Sequence, residues 1–139
     1  MRLLAATDFA LRTLMRLAAA SDRLASTEVL AQEVGVPRNH LHKVVQALAE
    51  AGLVRTSRGA GGGVRLAHPP ADIRLGEVVR WFEREQAVVD CFREDGGSCC
   101  LLPQCRLRGA LARAQGAFLA ELDRMTLAEA VVSPGQALA

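Results

Sequence analysis

The 139-residue chain has no tyrosine and only 4% aromatic residues, although half of it is hydrophobic. A core without many rings must be built from Ala, Leu and Val, and that composition favours helices. Long hydrophobic runs are also missing. The apolar opening Met1-Arg2-Leu3-Leu4-Ala5-Ala6 is soon interrupted by Asp8, Arg12 and Arg16. It is too short to span a bilayer or to serve as the apolar stretch of a secretory signal. The chain is therefore expected in the cytoplasm, with no membrane partner. Histidine is scarce: His40, His42 and His68 all lie far in sequence from any cysteine. No catalytic constellation emerges, so the chain is not expected to be an enzyme.

The length suits one ordinary domain, or a small domain carrying an extra arm. A net charge of +2 decides little, but it is unevenly spread. Residues 1–68 hold nine Lys/Arg against five Asp/Glu, whereas residues 69–139 hold eight against ten. The first half is thus the better candidate for a surface that meets a polyanion.

From about Leu4 to Ala20 the apolar residues Phe9, Leu11, Leu14, Met15, Leu17 and Ala18 recur at helical spacing. Ser21-Asp22 breaks the pattern, and Ser26 is placed to cap a short helix from Thr27 to about Val34, ended by Gly35. Pro37 opens the next helix at its first turn, which runs to about Ala51. Its inward residues are Leu41, Val44, Val45 and Leu48. Two short helices joined at Gly35-Val36, the second starting with basic and amide side chains, predict a helix-turn-helix.

Two β-prone runs then flank a glycine-rich tip, Gly59-Ala60-Gly61-Gly62-Gly63, which reads as a hairpin wing carrying Arg55, Arg58 and Arg65. The tip lacks the Lys and Ser/Thr of a P-loop, so a phosphate-cradling enzyme loop is a weak alternative. The plainer reading of any one arginine is a solvated charge. Three on one wing beside a basic helix favour nucleic acid. The candidate DNA-facing set is Thr27, Glu28, Arg38, Asn39, His40, His42, Lys43, Arg55, Arg58, Gly59 and Arg65.

His68-Pro69-Pro70 marks a boundary. A short amphipathic helix from Leu75 to about Glu85 follows, with Val78, Val79 and Phe82 on one side and Trp81 expected against the hairpin. A long helix from about Arg106 to Leu122 carries the apolar stripe Leu107, Leu111, Ala114, Phe118 and Leu122. Such a stripe on a protruding helix commonly meets a second copy of itself. The tail from Ser133 reads as frayed. Three stretches result: residues 1–68 as a winged helix-turn-helix, 69–105 as a connecting helix and thiol loop, and 106–139 as a dimerisation helix and tail. The fold class is mainly α with a small β-hairpin wing.

All four cysteines, Cys91, Cys99, Cys100 and Cys105, sit in one loop with Gly96-Gly97 and Pro103. Thiols gathered this tightly suit a soft metal centre. There is no CxxC, which weakens both a zinc knuckle and a redox dithiol. Cys-x7-Cys-x5-Cys with one adjacent thiol offers three separated thiolates and lacks a fourth ligand, as suits an iron–sulfur cluster. Free or disulfide-bonded cysteine is the plainer alternative, and a reducing cytoplasm disfavours the disulfide.

Several segments carry a resemblance that covers nearly the whole chain. They include Met1-Arg2-Leu3 with Thr7-Asp8-Phe9-Ala10-Leu11-Arg12, His42-Lys43-Val44 leading to Ala51-Gly52-Leu53-Val54, and Arg58-Gly59-Ala60-Gly61-Gly62-Gly63. Leu75-Gly76-Glu77-Val78-Val79, Leu111-x-x-Ala114-x-x-Ala117-Phe118 and Leu122-Asp123-x-x-Thr126-Leu127-Ala128 continue it. Most specific are Asp90-Cys91-Phe92 and Cys99-x-Leu101-x-Pro103-x-Cys105-Arg106-Leu107. On these residues the chain closely resembles the NsrR/IscR family of bacterial winged-helix iron–sulfur regulators, and within it the NsrR-type nitric-oxide-sensing repressors.

The resemblance implies a homodimeric repressor that binds double-stranded operator DNA and is released by nitric oxide. It implies a cluster held in each protomer by Cys91, Cys99 and Cys105, with Asp8 of the partner subunit as the remaining ligand. A 4Fe-4S cluster is expected, with 2Fe-2S the alternative. Arg108 stands where the related cluster-biogenesis regulators use a histidine, which argues against their two-iron site. Two departures from the pattern stand out: the first cysteine gap is slightly longer, and Cys100 is an extra thiol. The alternatives are a regulator of the same family that senses iron or cluster supply, and a zinc-stapled DNA-binding or interaction module.

Overall fold

The computed structural model describes residues 2–20 and 23–131. The expected break at Ser21-Asp22 and the tail from Ser133 lie outside the described residues. Helix α1 spans Ala5–Ala19. It buries Ala10, Leu14 and Leu17, which recur at three- and four-residue steps, together with the hydroxyl-bearing Thr7 and Thr13. Thr13 donates to the Phe9 carbonyl oxygen at 2.7 Å, and Thr7 donates to Glu83, so neither buried hydroxyl is left unpaired.

Helix α2, Thr27–Val34, starts as its sequence signals require: the Ser26 hydroxyl accepts from the Val29 N–H at 3.2 Å. It ends at Gly35, whose φ of 67° is the left-handed conformation that glycine adopts without strain. Helix α3, Arg38–Glu50, begins one residue later than expected. Pro37 is its cap and not its first helical residue, and the Pro37 carbonyl accepts from the His40 and Leu41 N–H groups, each at 2.9 Å. Leu41, Val44, Val45 and Leu48 are buried as predicted.

Strands β1 (Val54–Ser57) and β2 (Gly63–Leu66) pair antiparallel, with Val54 opposite Leu66 and Ser57 opposite Gly63. Ala25 extends this wing through two backbone bonds with Val64, at 3.0 and 2.8 Å. A side chain at Gly63 would collide with the Ala25 backbone, so that approach requires glycine.

Helix α4, Leu75–Glu83, packs mainly on α1 and on the long helix α5, Arg106–Asp123. Trp81, expected against the hairpin, thus belongs to a helix whose main neighbours are other helices. Its ring face is covered by the Arg84 guanidinium at 4.3 Å. A last turn, α6 (Leu127–Ala130), carries a reciprocal capping box between Thr126 and Glu129. It places Leu127 fully inside one core shared with Leu14, Leu30, Leu41, Leu48 and Val78. No helix among the described residues is long and apolar enough to cross a membrane.

Candidate nucleic-acid interface and metal centre

Because one side of α3 is committed to the core, its polar residues are forced onto the other. Arg38, Asn39, His42 and Lys43 line one concave face with Thr27 from the start of α2, and Gln46 joins them. Gln46 was not anticipated. Its signal lay in the spacing: one turn beyond His42 and two beyond Arg38, it falls in the middle of the polar face. Glu28 sits 3.6 Å from Arg38, with both side chains well exposed. Such a pair is worth about 0–1 kcal/mol, so Arg38 can readily exchange it for another anion. His40 is exposed but outside this basin, its ring centroid 6.3 Å from that of Phe9.

The wing adds charge without neutralising it. Arg55 and Arg65 are direct cross-strand partners and both are exposed. Like charges placed opposite one another destabilise a strand pair, and a bound anion relieves that repulsion. Neither residue, nor Arg58, forms a salt bridge among the described residues. Gly59 and Gly61 take φ values of 94° and 78°, so the exposed tip turns with little side-chain bulk.

The thiol loop is built differently. No residue from Gln86 to Cys105 is buried, and polar contacts hold the segment. Cys91 lies in a single 3-10 turn, Asp90–Phe92. The Asp90 carboxylate accepts from the Ser98 N–H at 2.6 Å and from the Ser98 hydroxyl at 3.3 Å. Arg93 binds Asp95 at 3.0 and 2.6 Å, which with the Gly97 N–H holds the Asp95 carboxyl below its usual range. Cys105 caps α5, and one turn into that helix the Arg108 guanidinium lies 5.6 Å from the centre of the Phe92 ring. The segments bearing Cys91, Cys99 and Cys105 are therefore tied to one turn.

All four cysteines are free, with Cys91, Cys99 and Cys105 half-buried and Cys100 exposed. Among the described residues, no three His, Cys, Asp or Glu side chains converge closely enough to hold a metal ion. Asp8 is half-exposed on α1, and Arg12 grips both of its oxygens at 2.6 and 3.2 Å. The donor set fits an iron–sulfur cluster in its chemistry: soft free thiols on an adaptable loop, beside a helix N-terminus that favours a negative group. Among the described residues the set is not closed.

A winged helix-turn-helix with basic reading elements, joined to a thiol-bearing loop, defines a DNA-binding regulator. The Rrf2 family, described as an iron-dependent transcriptional regulator, matches residues 3–133. The chain belongs to that family. It is 41% identical to the HTH-type transcriptional regulator NsrR of Bacillus subtilis (strain 168) over 132 residues, covering 94% of this chain and 90% of that protein. Identity to NsrR of Geobacillus kaustophilus (strain HTA426) is 42% over 124 residues, covering 88% and 84%. The structure of IscR from T. potens superposes with a TM-score of 0.75 at 22% identity, covering 94% of this chain and 85% of that one, a likeness of fold. The chain is thus an NsrR-type Rrf2 transcriptional regulator that binds DNA, and not an enzyme.

Proposed function

We propose that this regulator is a dimeric repressor whose iron–sulfur cluster senses nitric oxide, with cluster damage releasing the operator. The observation that supports the reading is three half-buried free thiols on one loop, whose segments meet the Asp90–Phe92 turn through the Ser98 and Arg108 contacts. Cys91, Cys99 and Cys105 would hold the group, with Asp8 of the partner subunit as fourth ligand. When bound, a 4Fe-4S cluster supplies an iron corner that nitric oxide can reach. A carboxylate is a harder and more weakly held ligand for iron than a thiolate, so the Asp8 bond would be the one most readily exchanged.

Helix α5 supports the dimer. None of its residues is buried, and Leu107 is 64% exposed on a helix whose Leu111, Phe118 and Leu122 are half-covered within the chain. Asp8 lies on α1, which packs directly on α2 and α3. A ligand supplied from there to the partner's loop would couple cluster integrity to the placement of two DNA-binding heads. Half-site spacing, on which a dimer's affinity depends, would change when the ligand is lost. In that complex α3 reads the major groove through Arg38, Asn39, His42, Lys43 and Gln46, and Arg58 at the wing enters the minor groove.

Anaerobic purification followed by iron, sulfide and zinc analysis tests the cluster. Iron with matching sulfide is expected, and operator release should track nitric-oxide dose. Stoichiometric zinc without sulfide would sink the reading in favour of a zinc-stapled module. The family's description as iron-dependent favours a second reading, a sensor of iron or cluster supply. Low-iron growth that empties the promoter, with nitric oxide ineffective, would select it.

A further inference from the structure

Asp90 immediately precedes Cys91, and Ser98 immediately precedes Cys99. The Asp90 carboxylate holds the Ser98 N–H at 2.6 Å and the Ser98 hydroxyl at 3.3 Å, closing the segment between the two cysteines into a loop. Arg93 approaches the other Asp90 oxygen at 3.6 Å. Gly97, at φ 60°, packs so tightly that a Cβ there would collide with the Asp90 carbonyl oxygen and carboxylate. The clamp puts Cys91 and Cys99 in equivalent places, each one residue beyond a clamped partner. Beyond it, Cys99 is half-buried and Cys100 exposed.

We propose that Asp90 is a positioning residue that selects Cys99 over Cys100 as the second thiolate of the cluster site. This rests on the cluster reading above. Two adjacent cysteines in an irregular loop are chemically equivalent donors, and only a fixed backbone can make one of them the ligand. With Ser98 pinned, Cys99 is turned toward the body of the protein and Cys100 toward solvent. Releasing Ser98 frees both to compete and leaves the loop to be ordered during cluster assembly. The clamp also accounts for the long first cysteine gap, because the intervening residues are folded back onto Asp90 and not stretched.

Alkylation mapping by mass spectrometry tests this in the full-length protein, metal-free and after anaerobic loading with iron and sulfide. In the metal-free wild type, iodoacetamide should modify Cys100 several-fold faster than Cys99, since exposure governs access to the thiol. In the loaded wild type, Cys100 alone should react. Asp90→Ala should bring the two metal-free rates to parity and leave both thiols partly reactive after loading, at lower iron content. Asp90→Asn keeps an oxygen for the Ser98 N–H and should restore preference for Cys99. Gly97→Ala attacks the same contact from the other side and should behave as Asp90→Ala. Wild-type reactivity of both thiols in Asp90→Ala and Gly97→Ala would overturn the proposal, as would protection of Cys100 in the loaded wild type. If the wild type takes up no iron, the cluster reading falls, while the metal-free rates still decide whether the clamp orders the two thiols.

Discussion

The two halves of this regulator are stabilised by different physics. In the helix-turn-helix half, Leu14, Leu30, Leu41 and Leu48 are wholly enclosed, and each helix commits one face to that shared core. From Gln86 to Asp123 no residue is buried; carboxylates, arginines and glycines set the path of the loop, and α5 leans on α4 by one side. The first half is a rigid reading head. The second is held by surface polar contacts with little core of its own, the kind of segment that opens at low cost.

The largest expected contrast comes from one substitution in each half. Leu48→Ala should cost about 2–5 kcal/mol in urea unfolding, the usual range for emptying a buried leucine site. Cys91→Ala should leave metal-free stability within about 0.5 kcal/mol, as substitutions of side chains outside the core do, yet abolish iron retention. Cys99→Ala and Cys105→Ala should match it, whereas Cys100→Ala should keep iron. A large stability loss in metal-free Cys91→Ala would mean the thiol loop is part of the core after all.

A second contrast lies within the reading head, between charge and base recognition. Arg58→Ala should weaken operator binding and lower the slope of log affinity against log salt by about 0.9, the value of one neutralised phosphate. Gln46→Ala should leave that slope unchanged and relax preference at one base pair, costing about 1–3 kcal/mol against the best site. Titrations over a salt series on matched and mismatched operators separate the two. An unchanged slope in Arg58→Ala would remove it from the interface. Equal losses on every sequence would make Gln46 a backbone contact.

Asp8 tests whether the halves communicate across the proposed dimer. In the single chain its partner is Arg12, an exposed pair worth about 0.3–0.5 kcal/mol, so Asp8→Ala should hardly alter stability. Cluster should still be taken up but lost more readily, and Asp8→Cys should hold repression to higher nitric-oxide doses. Heterodimers pairing an Asp8→Ala chain with a triple-cysteine mutant chain discriminate further. If the ligand crosses, the cysteines of the Asp8→Ala chain meet the intact Asp8 of the other chain and one wild-type-like cluster per heterodimer remains; damage at every site would rule the crossing out.

How far the sequence could be read follows the same divide. In the head, Ser26, Gly35 and the spacing of Leu41, Val44, Val45 and Leu48 each carry a local signal that agrees with the core, so helix ends, such as Pro37 at the start of α3, shift by only one position. Gln46 was missed because a polar residue in mid-helix looks like ordinary surface until Thr27 of α2 is placed beside it. The length of α5 was legible from its stripe, but its orientation was not: Leu111, Phe118 and Leu122 turn inward while Leu107 and Ala114 stay outside. The Asp90–Ser98 clamp joins residues 8 apart through two left-handed glycines, Gly96 and Gly97, and no periodicity announces such a pairing.

The smallest effect expected concerns the joint that fastens the end of the chain back onto the head. Glu129 accepts from the Thr126 N–H at 2.7 Å and from its hydroxyl at 2.8 Å, and Leu127 is locked into the core between them. Those two bonds, the backbone one first, hold the Glu129 carboxyl below its ordinary value of 4.5. A depressed carboxylate contributes stability that is fully present at neutral pH and fades as pH falls through the acid range, because the unfolded chain takes up the proton first. Glu129→Gln should therefore lower stability slightly at neutral pH and little in acid, flattening that part of the pH profile. Arg80 and Asp123 impose the same sign through a separate ion pair between α4 and α5, with the Asp123 carboxyl held low by the Arg80 hydrogen bonds. The informative quantity is thus the difference between wild-type and Glu129→Gln curves, measured by thermal unfolding from neutral to acid pH. Parallel curves would mean that the cap carries no linked proton and that packing of Leu127 alone holds the joint.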